Sequence, residues 1–192
     1  MAKFLPIHAL GDKDTLVRSQ EGAPVRIELA EFGSLVQLFA KKGKEDVVMQ
    51  QLGFETEAGK GMSGEGITYL PMAPGQWLVV ADSKESPTFG DELAKSIAGI
   101  GHVSEQSASR VRIRISGENA RDLMARGCRL DLHSSVAGAG FTAQTVMAQV
   151  GVTIYLKSNE PVYDLYVYSG FARSFWHWLT HTAEQFGYEV VA

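Results

Sequence analysis

A second cysteine is missing from this 192-residue chain, in which Cys128 stands alone. No intrachain disulfide can form, which excludes a small cystine-stapled scaffold and fits a reducing compartment. Long apolar runs are missing as well. No segment approaches the ~20 apolar residues that a helix needs to cross a bilayer. The apolar stretch within Met1–His8 is too short for a signal-peptide core. A cytoplasmic location without membrane contact is therefore expected. Nor is there a basic excess: 18 Lys and Arg stand against 22 Asp and Glu, for a formal net charge of −4. A surface that displaces the counterions of a phosphate backbone carries the opposite balance, so nucleic acid is not an expected partner.

The signatures of self-contained chemistry are also scarce. No G-x-S-x-G elbow presents a nucleophile. Gly59-Lys60-Gly61-Met62-Ser63-Gly64 has the letters of a dinucleotide fingerprint, but that mechanism needs a helix to follow, so that the pyrophosphate meets its N-terminus. Glu65-Gly66-Ile67-Thr68-Tyr69-Leu70 reads as a strand instead, and the glycine run reads as a loop. Cys128, Asp131 and His133 are close in sequence, yet no second cysteine or nearby histidine completes a ligand set of recognised spacing. His8 and His102 are scattered. His177 and His181 have helical i, i+4 spacing but lack the Glu of H-E-x-x-H, so they read as exposed helix histidines. The expectation is a chain with no catalytic residue, no cofactor-binding residue and no metal ligand of its own.

What the sequence does contain is an ordinary globular composition, 45% hydrophobic and 21% charged. A chain of this length buries roughly 70% of the surface its unfolded form exposes. A pattern recurs within it. Arg110–Ile115 alternates strictly, with Val111, Ile113 and Ile115 on one face and three arginines on the other, as in a half-buried strand. Ser116-Gly117 breaks it. A helix over Glu118–Arg126 follows, with Gly127 placed to end it in a left-handed conformation. Strands are expected near Ala143–Tyr155 and Tyr163–Tyr168. A last helix, Phe171–Phe186, has Ser169 as its N-cap and an apolar stripe of Phe171, Phe175, Trp178, Leu179, Ala183 and Phe186.

The first half follows the same order less clearly. It opens with Val25, Ile27 and Leu29, and a helix around Val47–Leu52 stops at Gly53. The strands Ile67–Met72 and Trp77–Ala81 turn at Pro74-Gly75. The closing helix, Phe89–Ala98, has Thr88 and Asp91 in the positions of a capping box. The expected fold is α+β, a duplicated β-α-β-β-α unit with mixed or antiparallel sheets and helices packed on one face. An arm over residues 1–22 precedes one pseudo-duplicated domain, residues 23–192, with halves near 23–103 and 104–192.

The positive signals are those of contact surfaces. Arg110, Arg112 and Arg114 share a strand face on which a neighbouring strand could present Asp164, Tyr166 and Tyr168. Arginine and tyrosine combine large contact area with directed hydrogen bonds, and both are enriched at interfaces. Trp176 falls off the apolar stripe beside Arg173, which suggests an exposed ring awaiting a partner or covered by the N-terminal arm. With the Asp131–His133 loop, the candidate interface set is Arg110, Arg112, Arg114, Asp131, His133, Tyr166, Tyr168, Arg173 and Trp176.

Several runs resemble the gamma subunit family of heterotetrameric sarcosine oxidase. They are Arg112-Ile113-Arg114-Ile115-Ser116-Gly117, Gly127-Cys128-Arg129-Leu130-Asp131-Leu132-His133, Thr142-Ala143-Gln144-Thr145, Tyr163-Asp164-Leu165-Tyr166-Val167 and Phe171-Ala172-Arg173-Ser174-Phe175-Trp176-His177-Trp178-Leu179. Pro74-Gly75-Gln76-Trp77-Leu78-Val79-Val80-Ala81 is similar to a tryptophan-containing strand of that family. A more distant resemblance, to the glycine cleavage T-protein and its folate-binding relatives, implies the same doubled fold. The family resemblance implies a non-catalytic subunit that supports assembly with alpha, beta and delta subunits. Those subunits would hold FAD, FMN, NAD, tetrahydrofolate and zinc. The complex would oxidise sarcosine to glycine, with hydrogen peroxide and either formaldehyde or 5,10-methylenetetrahydrofolate as further products. The alternatives are a subunit of a related N-methyl amino acid dehydrogenase, such as one acting on N-methylglutamate, and a stand-alone tetrahydrofolate-binding module.

Overall fold

A computed structural model of the chain describes residues 22–83 and 86–191, so the expected arm lies, but for Gly22, outside the described residues. The chain opens with strands β1 (Val25–Ala30) and β2 (Ser34–Ala40), then helix α1 (Glu45–Leu52). Strands β3 (Met62–Gly64), β4 (Ile67–Ala73) and β5 (Gln76–Ala81) lead to α2 (Thr88–Ser96) and β6 (Gly101–Glu105). Next come β7 (Arg110–Ser116), α3 (Ala120–Ala125), β8 (Thr142–Met147) and β9 (Val150–Ser158). The last elements are β10 (Val162–Tyr168), α4 (Ser169–Ala183) and β11 (Tyr188–Val191).

Two compact units result. One is Phe32–Ser107, and the described residues flanking it, 22–31 and 108–191, form the other. The first unit has a five-stranded sheet of order β3-β4-β5-β2-β6, and the second a six-stranded sheet of order β8-β9-β10-β7-β1-β11. The duplication is complete in topology. Each unit runs strand, helix, three strands, helix, strand, and the sheet orders match once β1 is set aside. β1 is an extra strand, antiparallel to β7 on one side and parallel to β11 on the other.

This corrects the sequence expectation, which made Val25–Leu29 the opening strand of the first copy. That role belongs to β2. Ser34, Leu35, Val36 and Leu38 are all fully buried, so β2 lacks the alternation by which a half-buried strand is recognised.

In the first unit, Leu38 stands opposite Trp77 and Val36 opposite Val79. These four pack with Phe54, Tyr69, Phe89, Leu93 and Ile97. Phe54 stacks on Tyr69 at 3.9 Å between ring centroids and meets Trp77 edge-on at 5.5 Å. The indole Nε1 donates to Thr56 Oγ1 at 2.8 Å, so burying this tryptophan leaves no orphaned donor. α2 packs on β2 and β6. It begins after Pro87 with no side-chain cap, so Thr88 and Asp91 form no capping box. The Gly59–Gly64 segment is not wholly a loop, since Met62–Gly64 is the short strand β3 paired with β4, and the chain turns directly into β4. α1 stops at a left-handed Gly53, as its sequence suggests.

In the second unit, Val111, Ile113 and Ile115 of β7 face a core of Leu123, Met124, Leu165, Val167, Phe175 and Leu179. α4 packs against β7 and β10. Its buried positions are Ala172, Phe175, Trp176, Leu179 and Ala183, an i, i+3, i+4, i+7, i+11 series. The stripe is thus rotated from the expected one: Trp176 belongs to the core, and Phe171 is 56% exposed. Ser169 is the first helical residue rather than the cap, its hydroxyl donating to the Ala108 carbonyl at 2.9 Å. The strand expected over Ala143–Tyr155 is a hairpin, because Ala148 and Gln149 both take positive φ between the paired Met147 and Val150.

α3 is shorter than expected, and Gly127 is not left-handed. A Cβ at Gly127 would lie 2.4 Å from two ring carbons of Trp178, so glycine is needed for close approach rather than for its backbone angle.

Candidate functional site

The sheet register brings together the row anticipated from sequence. Arg114 stands opposite Asp164, Arg112 opposite Tyr166 and Arg110 opposite Tyr168. On the other side of β7, Glu28 stands opposite Arg114 and Ala30 opposite Arg112. Beyond β10, Tyr155 lies opposite Asp164 and Thr153 opposite Tyr166. Strand alternation places all these side chains on the sheet face away from Ile113 and Ile115.

The three arginines have different partners. Arg114 forms a fork with Asp164, Nε to Oδ1 at 2.7 Å and Nη2 to Oδ2 at 2.9 Å. A second carboxylate, Glu28, lies 3.6 Å from Nη1. The Asp164 hydrogen bond raises the Arg114 pKa above its ordinary value, burial works against this, and the charges of Asp164 and Glu28 add to the rise. Arg112 donates from Nη2 to the Glu31 carbonyl. Arg110 donates from Nη2 to the Tyr168 hydroxyl at 2.9 Å, with its Cζ 4.5 Å above the centre of that ring. Its Nε and Nη1 are buried and make no hydrogen bond.

Burial revises the surface reading. Arg110, Arg112, Tyr166 and Trp176 are covered within the chain, as is Asp164. They are not the exposed contact groups the sequence suggested. Alternation reveals that two faces differ in polarity, but it does not reveal whether the polar one is covered. Ala172 rather than Phe171 opens the buried stripe of α4, which carries Trp176 into the core. Tyr168, Arg173, Asp131 and His133 are exposed, and Arg114 is part-buried.

Asp131 and His133 lie on the segment between α3 and β8. Asp131 Oδ1 accepts from the His133 backbone N–H at 2.9 Å, and His133 Nδ1 pairs with Ser135 Oγ at 2.8 Å. Buried Leu132 and Ala137 pin this segment to the core. Cys128 is buried, and burial raises its thiol pKa, partly offset by a hydrogen bond from the Leu130 backbone. His177 and His181 are exposed on α4, with His181 Nδ1 3.5 Å from Glu184. Among the described residues no three His, Cys, Asp or Glu side chains converge as a metal site would require. Sequence reasoning missed the exposed Phe171 and the orphaned hydroxyl of Tyr163, which is fully buried. A tyrosine on the apolar side of an alternating strand was the available signal for the second.

With this geometry in place, comparison with known proteins is decisive. The sequence pattern of the sarcosine oxidase gamma subunit family matches residues 40–185, about three quarters of the chain. The chain belongs to that family. Curated relatives named sarcosine oxidase subunit gamma, from Corynebacterium and Arthrobacter species, are each 27% identical, over 135 and 132 residues. In both cases the match covers 68% of this chain and 63% of the relative, just under two thirds of its length. Among solved structures, a chain of the heterotetrameric sarcosine oxidase from a Corynebacterium species aligns with a TM-score of 0.78 at 22% identity, over 91% of both chains. The glycine cleavage aminomethyltransferase T of Bartonella henselae aligns with a TM-score of 0.63 at 15% identity, over 88% of this chain and 48% of that one. These two likenesses establish the doubled T-protein-like α+β fold. No helix among the described residues is long and apolar enough to cross a membrane.

Proposed function

We propose that this chain serves as the non-catalytic gamma subunit of a heterotetrameric sarcosine oxidase, supporting assembly with alpha, beta and delta subunits. The observation that carries the reading is the family match across residues 40–185. It is supported by the likeness of the whole fold to a chain of the Corynebacterium enzyme. On this reading FAD, FMN, NAD, tetrahydrofolate and zinc belong to the other subunits. The complex converts sarcosine to glycine with release of hydrogen peroxide, and this chain contributes its contact surfaces. Part of its polar sheet face is an internal strut, because the Arg114–Asp164 fork holds β7 to β10. The exposed groups left for contact are Tyr168, Arg173, Asp131 and His133, with Phe171 added from the structure.

Affinity purification of the tagged chain from its native cell, with mass spectrometry and an absorbance scan, tests the reading. Two large partners, one small one and a flavin spectrum are expected. A colourless chain recovered alone refutes it. Partners that oxidise another N-methyl amino acid would keep the scaffold role and change the substrate. Tetrahydrofolate binding by the isolated chain would shift the reading toward the T-protein relatives, whose fold it shares.

A further inference from the structure

Arg110 is the anomaly of the polar face. It is 5% exposed, yet no carboxylate among the described residues pairs with it. Of its guanidinium nitrogens only Nη2 has a partner, the Tyr168 hydroxyl, while Nε and Nη1 are buried donors with no acceptor. Four residues along the same strand, Arg114 has a forked carboxylate and a second one nearby. A buried cation without a counterion is costly, and folded chains rarely retain one unless the counterion comes from elsewhere.

The surroundings point outward. Tyr168, which lies over the guanidinium, is 48% exposed, and Phe171, three residues on, is 56% exposed. Between them α4 begins, with no acidic residue in its first turn and no side-chain cap, so the helix itself brings no negative charge to that corner. A half-open tyrosine, an open phenylalanine and an unsatisfied arginine together have the composition of an interface hot spot. A carboxylate matches the two free donors in charge and in fork geometry.

We infer that Arg110 is the receptor for a carboxylate carried by a partner subunit, with Tyr168 as a hinged cover that holds the guanidinium until docking. The inference rests on the gamma-subunit reading and deepens it by naming the corner and the chemistry. In the free chain the Tyr168 hydroxyl is a substitute acceptor for one of the five N–H groups. On assembly the ring swings toward solvent and packs with Phe171 against the partner, and an Asp or Glu side chain of that partner takes Nε and Nη1.

The test co-expresses the full chain with its partner subunits and compares wild type, Arg110→Met and Tyr168→Phe. The readouts are complex dissociation by dilution and thermal unfolding of the free chain. Arg110→Met is expected to weaken assembly at least tenfold. It should leave the free chain's Tm unchanged or raised, because the substitution removes an unpaired buried charge. Tyr168→Phe, which removes only the substitute acceptor, is expected to assemble within threefold of wild type or more tightly. Arg110→Met that lowers the free chain's Tm while assembling like wild type overturns the inference, because the arginine is then internal structure only. Sodium acetate, set against sodium chloride at equal ionic strength, is the third arm. An acetate-specific rise in Tm that vanishes in Arg110→Met, with assembly unaffected, assigns the site to a free small carboxylate and overturns docking. Failure of wild type to assemble at all refutes the gamma-subunit reading, whereas normal assembly of both wild type and Arg110→Met refutes only this inference.

Discussion

Replacing Asp164 by Asn is the sharpest test of how the second unit is held. The side chain keeps its shape, and Oδ1 can still accept from Arg114 Nε. Nδ2, however, now meets Nη2 donor to donor where Oδ2 accepted at 2.9 Å. Breaking a buried ion pair costs about 3–5 kcal/mol, because the remaining charge stays desolvated. Here the Asp164 side chain is 3% exposed but that of Arg114 is 21% exposed, and Glu28 remains 3.6 Å away. Water and the second carboxylate offset part of the loss, so the expected cost is roughly 2–3 kcal/mol. With a urea m-value of about 2 kcal/mol/M for a chain of this size, the midpoint falls by about 1–1.5 M.

The assay is urea unfolding followed by both tryptophan fluorescence and circular dichroism, since coincident transitions are needed before a single free energy has meaning. The control is Glu189→Gln. Its pair with Arg26 spans 3.6 Å with side chains 54% and 24% exposed, and should be worth less than about 0.5 kcal/mol. Joint replacement Arg114→Met with Asp164→Leu should recover most of the stability lost by Asp164→Asn, because apolar groups of similar volume can replace a buried pair. An Asp164→Asn variant within about 0.5 kcal/mol of wild type, or no worse than Glu189→Gln, would refute the argument that burial sets the value of this pair.

Three further outcomes follow from the same structure. Gly127→Ala places a methyl group against the Trp178 ring and should cost about 1–3 kcal/mol in denaturant unfolding, with Trp178→Leu restoring much of it in the double variant. The two-residue turn Ala148-Gln149 has positive φ at both positions, as a type I′ hairpin requires, so Ala148→Asn with Gln149→Gly should raise stability by about 1 kcal/mol in the same assay. Burial raises the pKa of Tyr163 above the ordinary tyrosine value, with Arg121 pulling it down and Cys128 adding to the rise. The native state therefore keeps this proton after the unfolded chain has lost it, and the stability it contributes is complete below the unfolded value and lost as pH climbs through the folded one. Tyr163→Phe should flatten that alkaline decline in a pH series of melting temperatures. At neutral pH it should change stability by no more than about 1 kcal/mol, because its hydroxyl has no hydrogen-bond partner to lose.

The sequence by itself determined the fold class, the doubling and the family. Alternation in Arg110–Ile115 and Tyr163–Tyr168 is a two-residue period set by the pleat, so the shared face of the three arginines with Asp164, Tyr166 and Tyr168 was legible, whereas the register that sets Arg114 against Asp164 was not. Only the tertiary structure decided which strand opens each repeat. β2 is buried on both faces and has no alternation to read, and β1, which does alternate, is an added strand between β7 and β11. The structure alone also decided which polar groups are surface groups. Arg110 and Tyr168 look equivalent in a strand pattern, yet one is 5% and the other 48% exposed, because burial depends on what packs over a face. Trp176 and Gly127 show the same limit at closer range. A helix stripe can be started one residue out of phase from sequence, and a glycine suited to ending a helix can instead be required by a ring that arrives from fifty residues later in the chain.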